Sequence, residues 1–327
     1  MSLPTLATIE EAAHRLAGRV HRTPVMTSRT LDAMAGCQIF FKCENLQRGG
    51  SFKIRGALNT ALQTPGSAAL VTHSSGNHGA ALALAGRDLG RPVTVVVPAV
   101  SPEVKIANIE RYGAKVVLCG PTIGDREAAL AKVMEEGGVF IPPYNHHQVI
   151  AGQGTLAHEL VAQTHHLDEL WLPVGGGGMA SGCIAAAGNV LQVIGAEPEL
   201  ADDAHQSLAT GERQGARAPA TIADGLRGAL GDITFGILRD YELPIQRVSE
   251  EAIVIAQRLL MDCLKVVVEP SGAVAFAALL THPSAQVPEY SKVSGRAYEI
   301  STPTPKAAKR CVGVVISGGN LDLALPS

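Results

Sequence analysis

A lysine, a run of hydroxyl and amide side chains and two glycine-rich stretches each fall where this chain passes from strand to helix, enters a helix or ends a strand. The lysine is Lys53, in FKCENLQRGGSFKIRGALNT (41–60), directly after Gly49, Gly50, Ser51 and Phe52 at the entry to a helix. The positive end of a helix dipole disfavours a cation, so this placement predicts a lowered pKa or an amine engaged as an imine. A solvated lysine is the competing reading on spacing alone, because a perturbed residue marks function only on average. Arg48 and Arg55 form a basic neighbourhood that depresses Lys53 further if they lie close in space.

In VTHSSGNHGAALALAG (71–86) a strand, a polar turn and a helix follow one another. Ser74, Ser75, Gly76, Asn77 and His78 there place hydroxyls and backbone N–H groups at a helix N-terminus, a ready site for a carboxylate or phosphate. An ordinary cap needs fewer polar residues than this turn holds. LPVGGGGMASG (172–182) repeats the arrangement with Gly175, Gly176, Gly177 and Gly178, where backbone amides approach an anion without side-chain obstruction. Its match to a dinucleotide fingerprint is weak, although Glu197 stands where a ribose-binding acid would be. VVISGGN (314–320) ends a strand in Ser317, Gly318, Gly319 and Asn320, at the edge where α/β sheets bind ligands. A lysine, a polar helix start and a phosphate cradle together suit a phosphorylated aldehyde cofactor.

The elements that must position these residues alternate. Apolar runs at 68–73, 92–98, 115–120 and 139–143 are separated by helical patterns, as parallel βαβ units require. A second series reads helix at 151–163, strand at 169–176, helix, strand at 191–198, helices at 249–264 and 269–282, and a last strand from 311. Residues 281–310 are rich in Pro, Ser, Thr and charge and predict an exposed or partly disordered insert. With 35 glycines and 4% aromatic residues, the composition favours helices packed closely on sheets.

The 327 residues suffice for about two domains. A net charge of −3, from 27 basic and 30 acidic residues, leaves no footprint for nucleic acid. The first twenty residues show no basic cluster followed by an apolar run, and no stretch of about 18 uncharged apolar residues occurs, so a cytoplasmic protein is expected. The six cysteines show neither disulfide-framework nor zinc spacing and read as small apolar residues.

GSFKIRGAL, THSSGNHG, PVGGGGM, ADD and ISGGN, in this order, resemble the pyridoxal-phosphate enzymes of the serine/threonine dehydratase and serine racemase family, fold type II. The likeness spans nearly the whole chain apart from residues 284–310. It implies two open twisted α/β domains of the tryptophan synthase β-like kind. The large cofactor-binding domain would comprise 1–70 and 149–327, and the small mobile domain 71–148. By the same resemblance Lys53 bonds the cofactor and serves as base at the substrate α-carbon, Phe52 flanks the ring and Asn77 meets the phenolic oxygen. Gly175, Gly176, Gly177, Gly178 and Met179 would cradle the phosphate, and Ser317 the pyridine nitrogen. Ser74, Gly76, Asn77 and His78 would surround the substrate carboxylate, with Ser75 facing the other side of the α-carbon. Glu197, the Ala201 carbonyl and Asp203 match the family's divalent-cation ligands, and oxygen-only ligation suits Mg2+ or Ca2+. A surface turn with capping acids, Asp202 among them, is the alternative.

Departures from the family pattern are Arg48-Gly49-Gly50-Ser51 before Phe52 and the stretch Asn145, His146, His147 near the domain junction. One of these histidines or an arginine would meet a distal substrate carboxylate, the alternative being that the histidines face solvent or serve structure. The chain ends seven residues after Asn320, so no regulatory domain is expected. A serine at the ring nitrogen suits elimination more than a long-lived carbanion. The expected activity is therefore an ammonia-lyase on serine, threonine or 3-hydroxyaspartate, with racemisation alongside it and a homodimeric assembly. A racemase as the main activity, a β-replacement synthase and a non-enzymatic phosphometabolite-binding protein are the alternatives, and the last leaves Lys53 unexplained.

Overall fold

The computed structural model describes residues 4–215, 220–282 and 310–321. The expected insert therefore lies outside the described residues except at its ends.

The chain opens with α1 (Leu6–Leu16), started by a Thr5 capping box, then β1 (Val25–Met26), α2 (Arg29–Ala35) and β2 (Gln38–Cys43). Helix α3 (Lys53–Gln63) begins on the lysine itself. Next come β3 (Leu70–His73), α4 (Asn77–Leu89), β4 (Val93–Pro98), α5 (Glu103–Glu110), β5 (Lys115–Cys119), α6 (Ile123–Glu135) and β6 (Val139–Phe140). Their strands form a wholly parallel sheet in the order β5-β4-β3-β6. The buried run of β4 shows why: helices cover both faces, so alternation gives way to continuous Val.

The remainder comprises α7 (His147–Gln163), β7 (Glu169–Pro173), α8 (Gly178–Ala187), β8 (Gln192–Pro198), α9 (Asp203–Thr210), α10 (Asp232–Asp240), β9 (Ile245–Val248), α11 (Glu250–Leu264), α12 (Pro270–Thr281) and β10 (Cys311–Ile316). The larger sheet runs β1-β2-β10-β7-β8-β9, parallel except for the antiparallel β1 edge.

Glycine lets the central helices touch. A Cβ on Gly152 of α7 would stand 2.5 Å from the Arg55 carbonyl of α3, and one on Gly154 would stand 2.5 Å from the Gly182 carbonyl of α8. On its other face α3 shares a hydrophobic cluster with the smaller sheet, through Ile54, Ala57, Leu58 and Ala61 against Ala80–Ala85, Val93 and Val95. The lysine-bearing helix is thus wedged between the small sheet's core and α7.

Candidate active site

Lys53 is the first residue of α3, and the residue before it offers no side-chain cap. Its Nζ donates to the Pro143 carbonyl at 3.0 Å and lies 5.1 Å from the Phe52 ring centre. Burial lowers its pKa to about 8, and the charge of Glu269 works against the shift. The arginines do not add the lowering expected of them. Arg48 pairs with Asp88 and the Arg19 carbonyl, while Arg55 is buried among Glu44, Glu159 and Thr155. Both guanidiniums are engaged by partners of their own, so desolvation is what lowers Lys53.

Contacts bring the separate motifs together. Tyr144 follows the carbonyl that meets Lys53, and its ring lies on the glycine loop: a Cβ on Gly176 would come 2.4 Å from it, and one on Gly178 2.8 Å from the Tyr144 Cβ. Gly177 adopts φ +81° and, as the residue before α8, offers no side-chain cap. Only glycine fits this run, and the helix N-terminus keeps its N–H groups for a ligand. Met179 is buried in the first turn of α8. The Phe52 N–H donates to the Ser317 carbonyl at 3.2 Å, and Ser317 Oγ donates weakly to the Ser271 carbonyl at 3.4 Å. The end of β10 therefore stands beside Lys53.

At the polar turn, Gly76 precedes α4 without a side-chain cap, and its N–H donates to Ser74 Oγ at 3.2 Å. Ser75 is half-buried there. Asn77 Nδ2 donates to Glu269 Oε1 at 2.8 Å, and Asn77 Oδ1 accepts from Asn320 Nδ2 at 2.8 Å. The His78 ring is buried, with Nε2 3.1 Å from the Ile141 carbonyl; burial, aided by the Lys53 charge, lowers its pKa to about 3. A neutral ring facing a carbonyl through Nε2 must carry its proton there, leaving Nδ1 an acceptor. What His78 offers a carboxylate is its backbone N–H at the helix start, not the side chain.

Glu197 is buried, and its two oxygens accept from the N–H groups of Ala204 and His205 at 3.1 and 2.8 Å. It thereby closes the start of α9, turned inward from any ribose. Burial raises it well above the usual carboxylate range, and Asp203 and Asp202 add repulsion. Asp202 precedes α9 without capping it and pairs instead with Arg247 at 3.0 Å. Ala201 and Asp203 flank it, both buried.

His146 caps α7, its Nδ1 accepting from the Gln148 N–H at 3.3 Å, and burial lowers both His146 and His147. Neutral imidazoles are poor partners for a distal carboxylate. Arg126, in the first turn of α6, has its Nε buried without a hydrogen-bond partner, and its charge is felt by His73 and Tyr144. Sequence reasoning allowed for an arginine without locating Arg126, and it missed Glu269. The only trace of Glu269 was an acid before a proline at a helix start, and its carboxyl does not cap that helix.

A family model described as pyridoxal-phosphate dependent enzyme matches residues 16–293. A serine racemase of Arabidopsis thaliana is 42% identical over 325 residues, 97% of this chain and 93% of that protein. A beta-hydroxyaspartate dehydratase of Paracoccus denitrificans is 40% identical over 330 residues, covering 99% and 98%. The solved maize serine racemase superposes with a TM-score of 0.89 at 40% identity, covering 98% of this chain and 95% of that one.

Proposed function

The chain belongs to the pyridoxal-phosphate-dependent enzymes, and from that membership we propose that it is an ammonia-lyase converting a β-hydroxy amino acid to a 2-oxo acid and ammonia. The observation that carries this reading is Lys53, an amine brought to a pKa of about 8 by burial and set between the Phe52 ring and the Pro143 carbonyl.

The residues fit the cofactor. Lys53 would hold its aldehyde carbon and Phe52 flank its ring. The N–H groups of Gly175 to Gly178 and Met179 would take the phosphate at the uncapped start of α8, and Ser317 the ring nitrogen. When bound, the cofactor supplies a conjugated system that draws off the electron pair left at the α-carbon. The protein's own work is proton handling and orientation. A lysine near neutrality is both free enough to take the α-proton and basic enough to hold it. The N–H groups of Ser75, Gly76, Asn77 and His78, with Ser74, would orient the substrate carboxylate at the positive end of α4. Loss of the β-hydroxyl as water and hydrolysis of the resulting C–N unit give the oxo acid and ammonia.

Among serine, threonine and 3-hydroxyaspartate, the partnerless Nε of Arg126 favours the substrate with a second carboxylate, in keeping with the Paracoccus relative. Assays of 2-oxo acid and ammonia on each of the three test this. The expected result is equimolar products, fastest from a 3-hydroxyaspartate isomer, with Arg126→Met raising KM for that substrate alone; serine or threonine turned over faster would contradict the choice.

A second activity, racemisation, is favoured by the half-buried Ser75 hydroxyl in the turn beside Asn77. Ser75→Ala should suppress racemisation more than elimination of one enantiomer, measured by chiral separation; equal loss of both would remove Ser75 from this role.

We also assign Glu197, the Ala201 carbonyl and Asp203 to a Mg2+ or Ca2+ ion. Two buried carboxylates that repel each other and an oxygen-only donor set support this reading. Chelation should lower the melting temperature and Mg2+ or Ca2+ restore it; Zn2+ alone restoring it would contradict the assignment. A cytoplasmic location, in keeping with six free cysteines, and a homodimeric assembly complete the proposal.

A further inference from the structure

Glu269, the residue before α12, is buried, and no step above uses it. Its carboxyl precedes α12 but leaves that helix uncapped and reaches instead to Asn77 of α4. Asn320 closes the arrangement from the other side, donating from Nδ2 both to Asn77 Oδ1 at 2.8 Å and to the Gly49 carbonyl at 2.9 Å.

A carboxamide has two N–H donors and one carbonyl. Here one donor meets an acceptor on Glu269 and the carbonyl meets a donor on Asn320, so rotating the amide by half a turn would set like against like at both ends. The second N–H of Asn77 is left over in a defined orientation. Glycines make room for this. A Cβ on Gly318 would stand 2.3 Å from Glu269 Oε1, and one on Gly50 2.2 Å from Asn320 Oδ1. Gly50 and Gly318, which the sequence places in separate motifs, thus admit the two ends of one clamp.

We propose that Glu269 is a positioning residue of the cofactor site: it fixes the Asn77 carboxamide so that its remaining N–H serves the cofactor, and it supplies the negative charge that steadies the Lys53 nitrogen. This inference rests on the assignment of Lys53 and Asn77 to the cofactor. The charged and polar groups that face Glu269 come from four directions: Lys53 of α3, Lys105 of α5, Asn77 of α4 and the Asn320 backbone. Burial raises its pKa to about 7, and these partners hold it from rising further. The charge therefore changes within the working range of an enzyme.

The test uses the holoenzymes of the parent, Glu269→Gln, Glu269→Ala and Asn77→Ala, with two readouts: the pH at which the bound cofactor's visible band changes, and the affinity for pyridoxal phosphate. Gln keeps an acceptor for Asn77 but no charge. The band's midpoint should fall by about one pH unit, because a cation at Lys53 loses its nearby anion, while affinity stays close to that of the parent. Ala removes the acceptor too, and affinity should fall about tenfold as well. A Glu269→Gln titration that overlays the parent's would overturn the proposal, whether or not Glu269→Ala folds. Asn77→Ala separates the failures. If it leaves band and affinity unchanged, the underlying assignment of Asn77 is wrong; if it weakens the cofactor while Glu269→Gln matches the parent in midpoint, only the role of Glu269 is lost.

Discussion

Lys53 has to be an amine that loses its proton near neutrality, and partial burial, not a surround of cations, lowers its pKa. Attachment of pyridoxal phosphate to the cofactor-free protein should therefore accelerate with pH and level off above about 8, since the free amine is the reacting form; stopped-flow absorbance measures the midpoint. A midpoint near 10.5, the ordinary lysine value, would show a solvated side chain. The direction of this shift was legible in the sequence, from a lysine at a helix entry, but its cause was not. Arg48 and Arg55 are near in sequence, and only the fold shows that each faces carboxylates elsewhere. The same limit hid Glu269 and Arg126, whose significance depends on residues far away in the chain.

The elements that hold Lys53 depend on a buried cluster of charge. Arg55 of α3 donates to Glu44 at 2.7 and 2.8 Å and to Glu159 of α7 at 2.8 and 2.9 Å, and Lys42 of β2 reaches Glu159 at 2.7 Å. Arg55→Met would leave two carboxylates without their main partner. A loss of about 3–5 kcal/mol is expected, read from urea unfolding; a loss below about 1 kcal/mol would mean the carboxylates find water. The helices and strands of the smaller sheet were legible because their apolar runs are continuous and their periods switch cleanly between strand and helix. Strand β2 was not. It carries the buried Lys42 one residue from its end, and its neighbour β10 is the last strand among the described residues, paired from Gln38 with Cys311 to Cys43 with Ile316. Short β9 and the helices α2, α9 and α10 likewise owe their place to long-range packing.

At the scale of the molecule, polar contacts tie the smaller sheet and its helices to the rest of the chain, among them Lys53 with the Pro143 carbonyl, Arg48 with Asp88, and Asn145 with the N–H groups of Ile233 and Thr234. Besides the Glu269–Asn77–Asn320 clamp, Lys105 of α5 pairs with Asp224, which opens the turn Asp224–Leu226 on the larger-sheet side. Both side chains are about a third exposed, so the pair adds little to global stability; its effect is on closure. Asp224→Asn should raise KM several-fold and speed hydrogen exchange in α5, with the unfolding midpoint nearly unchanged. Unaltered exchange in α5 would count against movement of the proposed 71–148 unit. Among the described residues no helix is long and apolar enough to cross a membrane.

The central claim is that Lys53 holds the cofactor, and peptide mapping after borohydride reduction of the pyridoxal-phosphate-loaded protein tests it most directly. The pyridoxyl group should be found on the peptide containing Lys53 and nowhere else, and Lys53→Ala should abolish both the label and ammonia release. A label on another lysine, or none on a protein that still releases ammonia, would contradict the account.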